Sequence, residues 1–227
     1  GAFTVLSADA GISGASGAIS LKSGSTTRGS SGAFVIKSGS ATSGTSGSIS
    51  ISIGRGDMGP GGRLILSGGE STDVTGGSVS IITGFGGISS SGSFTLLTAD
   101  SDQSGNSGSL SMKSGLASSG SSGAVVIQSG SASSGASGSV SVLVGGGNTG
   151  SGGRLVMHVG ESATETGGSM SLVSGRGANT SSGAFSLLTA DSTNSGTSGN
   201  IALTTGESSS GSSGSIIFRT GSAIQGT

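Results

Sequence analysis

A glycine returns at one register of a 15-residue period from the first residue to near the last, and large apolar residues stand two and four positions after it. The block ASGAISLKSGSTTRG (15–29) sets the register, with its residues numbered as positions 1 to 15. It is followed by SSGAFVIKSGSATSG (30–44), TSGSISISIGRGDMG (45–59) and PGGRLILSGGESTDV (60–74), and the pattern runs on to SSGSIIFRTGSAIQG (212–226). Position 3 is Gly in all fifteen repeats, from Gly1 and Gly17 to Gly214. Position 5 is always apolar (Ile19, Phe34, Ile49, Leu64), and so is position 7 (Leu21, Ile36, Ile51, Leu66). Position 10 is Gly or Ala throughout, which suits a tight corner. The first repeat is incomplete, and those at 90–105 and 181–196 carry one extra residue.

Apolar residues at every second position, with small or polar residues between them, are the pattern of a strand with one covered face. A helix is excluded, because Gly at two fixed places in each repeat would cost about 1 kcal/mol each time. Identical tandem blocks stack naturally as parallel strands. The period therefore predicts an all-β fold, a parallel β-solenoid (β-helix or β-roll) of about fifteen 15-residue coils, with positions 5 and 7 pointing inward. Position 9, Ser or Thr in eleven repeats, is expected to turn its hydroxyl inward and bond along the stack.

A longer period lies over the first. GAFTVLSAD (1–9) returns as GSFTLLTAD (92–100) and GAFSLLTAD (183–191), and GGRLILSGGES (61–71) returns as GGRLVMHVGES (152–162). The spacing is 91 residues, which is six repeats. The sequence reads as one continuous solenoid over 1–227 with super-repeats at 1–91, 92–182 and 183–227. It is expected to be a segment of a longer array, since neither end shows the divergent polar repeat that caps a solenoid.

Composition narrows the functional classes. Gly makes up 50 of the 227 residues, yet 30% are hydrophobic and regularly spaced, unlike a flexible linker. Nine basic and ten acidic residues are scattered for a net charge of −1, so there is no basic patch for nucleic acid. No apolar run approaches the ~18 residues of a membrane span, and no signal peptide is visible. With no Cys, disulfides and thiolate metal sites are excluded.

Few residues invite a chemical role. His158, the only histidine, has no catalytic partner that any repeating rule supplies and reads as a solvated surface residue. Asp9, Asp100 and Asp191 recur at position 11, one carboxylate per repeat, and read as turn formers rather than calcium ligands. Arg55-Gly56-Asp57 spells an adhesion tripeptide, but its counterpart 91 residues on is Gly146-Gly147-Asn148, which lacks both charges. Asn179, beside the repeat with an extra residue, opens the only N-glycosylation sequon. No acid, base and Arg cluster recurs that would serve glycan cleavage, so no enzyme activity and no cofactor is expected. The informative residues are the aliphatics read as outward-facing. Position 8 carries Leu6, Ile82, Leu97, Leu143, Val173 and Leu188, and position 6 carries Val35, Ile65, Val126, Val156 and Ile217. A set that partly recurs every 91 residues is a candidate lateral contact surface.

In period, Gly corners and alternating aliphatics the chain resembles extracellular Gly/Ser-rich parallel β-solenoid repeat proteins: repeat adhesins, surface-fibre proteins and ice-binding solenoids. That resemblance implies a non-enzymatic structural or adhesive role outside the cell or at its surface. Self-association into a filament or sheath is the expected partnership, and a solid surface or glycan is a further one. The alternative is ice binding through a flat Ser/Thr/Gly/Ala face. Ice-binding solenoids present outward Thr in ranks, whereas here Thr45, Thr75, Thr166 and Thr197 at position 1 are interrupted by Pro60 and Ala136.

Overall fold

In the computed structural model the 15-residue period appears in the backbone as a bend, repeated through both of the units into which the chain divides, Gly1–Ser111 and Met112–Thr227. The structure describes residues 1–102, 104–193 and 195–222; the last residues of the final repeat, Ala223 to Gly226, lie outside them. In the first unit the chain bends at 11–14, 27–29, 42–44, 57–59, 72–74 and 87–89, with a turn at 104. In the second it bends at 118–120, 133–135, 148–150, 163–165, 178–180, 195–196 and 209–211.

These bends are not the corners of a β-solenoid. Among the described residues there is no helix and no β-strand, which overturns the all-β fold, the β-helix and β-roll variants of it, and the stacked coils. The backbone–backbone hydrogen bonds of the described residues join positions eight or nine apart. Gly17 N–H donates to the Ala8 carbonyl (3.3 Å), Gly77 to Gly69 (2.8 Å), Gly92 to Gly84 (3.0 Å), Gly168 to Gly160 (2.9 Å) and Gly183 to Gly175 (2.9 Å). None joins residues fifteen apart, as stacked coils would require.

The physical reason lies in the side chains. Ile19, Phe34, Ile49 and Leu64, expected to form an internal column, are each about half exposed, and none of the described residues is buried. The chain exposes 22521 Å², against about 9,000 Å² for a folded protein of 20.9 kDa and about 30,000 Å² for the unfolded one. Two large apolar side chains in fifteen residues offer too little burial to offset the entropy of ordering a backbone in which 50 of 227 residues are Gly.

What the period does build is a pinched loop. In all fourteen repeats that have a predecessor, the position-3 glycine lies against position 9 or 10 of the repeat before. A Cβ added to Gly47 would sit 3.4 Å from Ser38 Cβ, to Gly92 3.5 Å from Thr83 Cβ, to Gly62 2.6 Å from Ile53 Cγ2, and to Gly77 2.9 Å from Gly69 N. Each repeat is therefore an arm, positions 3–10, and a loop, positions 11–15 and 1–2, closed at a neck between position 9 and the next position 3. Side chains at position 9 fill the neck, so their hydroxyls are not aligned along a stack. The two least exposed large apolar residues, Val159 and Val144 at 40% and 46%, are there too, and so is Ile53 at 48%. The extra residue of the longer repeats falls inside the loop. Ser7 meets Gly17, Thr98 meets Gly108 and Thr189 meets Gly199 across ten residues instead of nine.

The local chemistry of each bend follows the 91-residue period. Gly29, Gly120 and Gly211 close equivalent bends with φ of 96°, 104° and 131°, values that a Cβ disfavours. At another register the closing residue is Val74 or Glu165. There the Ser71 hydroxyl accepts the Val74 N–H (3.1 Å) and the Ser162 hydroxyl accepts the Glu165 N–H (2.9 Å), so a side chain stabilises a bend that lacks glycine.

Candidate contact surface

The arms expose their aliphatics in a graded way. Position 5, two residues after the neck glycine, is the most covered large apolar position before the neck in every arm except those of Phe3, Phe94 and Phe185, where position 7 is. Position 8 projects strongly: Leu6, Ile82, Leu97, Leu143, Val173 and Leu188 lie between 72% and 88% exposed. Val35, Ile65, Val126, Val156 and Ile217 at position 6 are exposed as well.

Two pairs of the six flank one kind of loop. Ile82 and Leu97 stand on either side of the neck held by the Gly92 to Gly84 bond. Val173 and Leu188 stand on either side of the neck held by the Gly183 to Gly175 bond. Both loops are tight inside. A Cβ on Gly86 would lie 2.6 Å from the Ser89 carbonyl oxygen, and one on Gly177 would lie 2.6 Å from that of Thr180, with the next carbonyl closer still in each case. The loops thus share a backbone and differ in what they display. The first carries Phe85 and Ile88, both fully out in solvent. At the same places the second carries Arg176 and Asn179, also exposed. Leu6 and Leu143 have no such partner, being followed at their register by Lys22 and His158.

Charge is sorted in a way that its scatter along the sequence hides. All ten carboxylates fall in loops, six of them at position 11 (Asp9, Glu70, Asp100, Glu161, Asp191 and Glu207). Six of the nine cations fall in arms: Lys22, Lys37, Arg63, Lys113, Arg154 and Arg219. The stretch 74–99, which holds Ile82, Phe85, Ile88 and Leu97, has no charged residue at all. The signal was present in the sequence, but it becomes visible only when arm and loop are told apart.

The remaining candidates are exposed and separate. His158, Asp9, Asp100 and Asp191 are all exposed. Arg55 and Asp57 pair with each other, Nε to Oδ1 at 2.8 Å, with both side chains largely in solvent, a setting where an ion pair contributes little. Asn179 lies in the bend at 178–180, some ten residues before the extra residue, which sits in the loop after Thr189. Among the described residues there is no cavity, no group of three His, Asp or Glu placed to hold a metal ion, and no helix long and apolar enough to cross a membrane. Comparison with known protein families, curated proteins and solved structures finds no match to the chain.

Proposed function

We propose that the chain is a non-enzymatic structural or adhesive repeat protein, acting outside the cell or at its surface, that associates with copies of itself into a filament or sheath. The observation that carries this reading is the recurrence, 91 residues apart, of an exposed aliphatic pair on one loop geometry: Ile82 with Leu97, and Val173 with Leu188. Side chains left uncovered within the chain retain a hydrophobic driving force for association. Recurrence along the chain makes that association multivalent, so individually weak contacts act together.

Sedimentation velocity of the full chain against the Leu97→Lys/Leu188→Lys variant tests it. Both leucines are exposed, so the substitutions leave the isolated chain unchanged while opposing contact between chains. The expected result is large, concentration-dependent species for the unmodified chain and monomer for the variant. An unmodified chain that stays monomeric at high concentration overturns the reading. Ice binding is the competing role, and the interrupted Thr positions weigh against it. Little thermal hysteresis and no crystal shaping are expected at micromolar protein; faceted ice crystals would reverse the ranking.

A further inference from the structure

We propose that the loop element at 82–97 of one copy docks on the element at 173–188 of a second copy, so that neighbouring copies are offset by one 91-residue super-repeat. This rests on the self-association proposed above and names the contact that produces it. The two elements share a framework: the same neck bond, 3.0 Å in one and 2.9 Å in the other, and the same close glycine approach at Gly86 and Gly177. Each presents its aliphatic pair from an equally constrained loop. That constraint lowers the ordering cost of contact relative to a free segment.

Their differences set the offset. Pairing in register would put Arg176 against Arg176, a like-charge contact that is unfavourable, and Phe85 against Phe85. An offset of 91 residues puts Arg176 against Phe85. A guanidinium over an aromatic face is attractive, and among the described residues Arg176 has no ion-pair partner to give up. It also puts Asn179 against Ile88, Val173 against Ile82 and Leu188 against Leu97. The stretch 74–99 carries no charge and so offers nothing to repel the incoming arginine. The contact uses a different surface on each partner. Contacts of that kind leave an unused surface on each partner and propagate into an open chain wherever the rotation between copies does not close a ring.

Because the protein has no cysteine, single substitutions read the offset directly. Ser80→Cys and Ser171→Cys occupy equivalent, exposed arm positions. The two full-length variants are mixed and mildly oxidised. Disulfides joining residue 80 of one chain to residue 171 of another are expected to outnumber like-with-like products. A predominance of 80–80 and 171–171 products would overturn the offset while leaving self-association standing. Assembly without cross-linking would overturn this contact as its basis, and a monomeric, uncross-linked chain would overturn both proposals. A second measurement isolates the loop pair. Arg176→Gln is expected to weaken association about two- to fivefold in the unmodified chain and to have no effect when Phe85 is already Ala. Equal loss in both backgrounds would remove Phe85 as the partner of Arg176.

Discussion

Replacing Gly86 by Ala should open the 84–92 loop, whereas the same change one residue later should not. A Cβ at position 86 would lie 2.6 Å from the Ser89 carbonyl oxygen, where carbon–oxygen contacts settle at about 3.3 Å or more. The Ser89 carbonyl must retreat by roughly 0.7 Å, and the nearer Ser90 carbonyl by more. A shift of that size just before Gly92 takes the 3.0 Å Gly92 N–H to Gly84 bond toward the limit at which it counts as a bond. An intramolecular hydrogen bond of this kind contributes about 0.5–1.5 kcal/mol, so the ratio of closed to open loop should fall roughly two- to tenfold. A Cβ on Gly87 meets nothing nearer than Phe85 Cε1 at 3.8 Å, which is ordinary contact. The chain already carries the control, since the counterpart of Gly87 is Ala178 while that of Gly86 is Gly177. Amide hydrogen exchange at Gly92, read residue by residue by NMR, reports the closed fraction. Faster exchange in Gly86→Ala and unchanged exchange in Gly87→Ala is the expected pattern. Equal exchange in the two variants would refute the steric argument.

Three further outcomes are expected. Ser71→Ala removes the acceptor of the Val74 N–H, and Ser162→Ala that of the Glu165 N–H; each should lower its bend population by a factor of about two to ten, seen as faster exchange at Val74 or Glu165, with Ser→Thr at either place restoring it. With no buried residue among those described, the dilute chain should change gradually on heating, and a sharp calorimetric transition near the ~0.7 kcal/mol per residue of ordinary domains would contradict the open structure. A double-mutant cycle on Arg55 and Asp57 should find no coupling beyond experimental error at 1 M salt, because both side chains are solvated.

Both periods were legible from residues alone. The bends fall every fifteen residues, and Gly29, Gly120 and Gly211 show the 91-residue spacing in their φ values. What the 15-residue period builds is not the strand that its alternation predicts, since the described residues hold no β-strand. Alternation at Ile19 and Leu21 records that one side of a segment is apolar, but not that another apolar surface exists to cover it. The invariant position-3 glycine was visible, and its reason was not: it is the seat of position 9 from the preceding repeat. Two clues pointed there. Ile53, Val144 and Val159 replace Ser or Thr at position 9, and the extra residue always falls between position 9 and the next glycine. The charge sorting escapes a reading along the sequence, where the charges are scattered, and shows only by position within the repeat. Ile82 and Leu97 stand together among the position-8 residues, in adjacent repeats. The loop between them, with Phe85 and Ile88, was passed over because neither residue recurs 91 residues later.

The neck separates two kinds of length. Thr98 meets Gly108 across ten residues where Thr83 meets Gly92 across nine, and the contact is no looser, 3.4 Å against 3.5 Å. Insertions and deletions should therefore accumulate in loops during the gene's divergence while the arms keep a constant count from position 3 to position 9. The same tolerance marks the loops as places where a foreign peptide can be grafted and displayed, repeat after repeat, without disturbing the neighbouring necks.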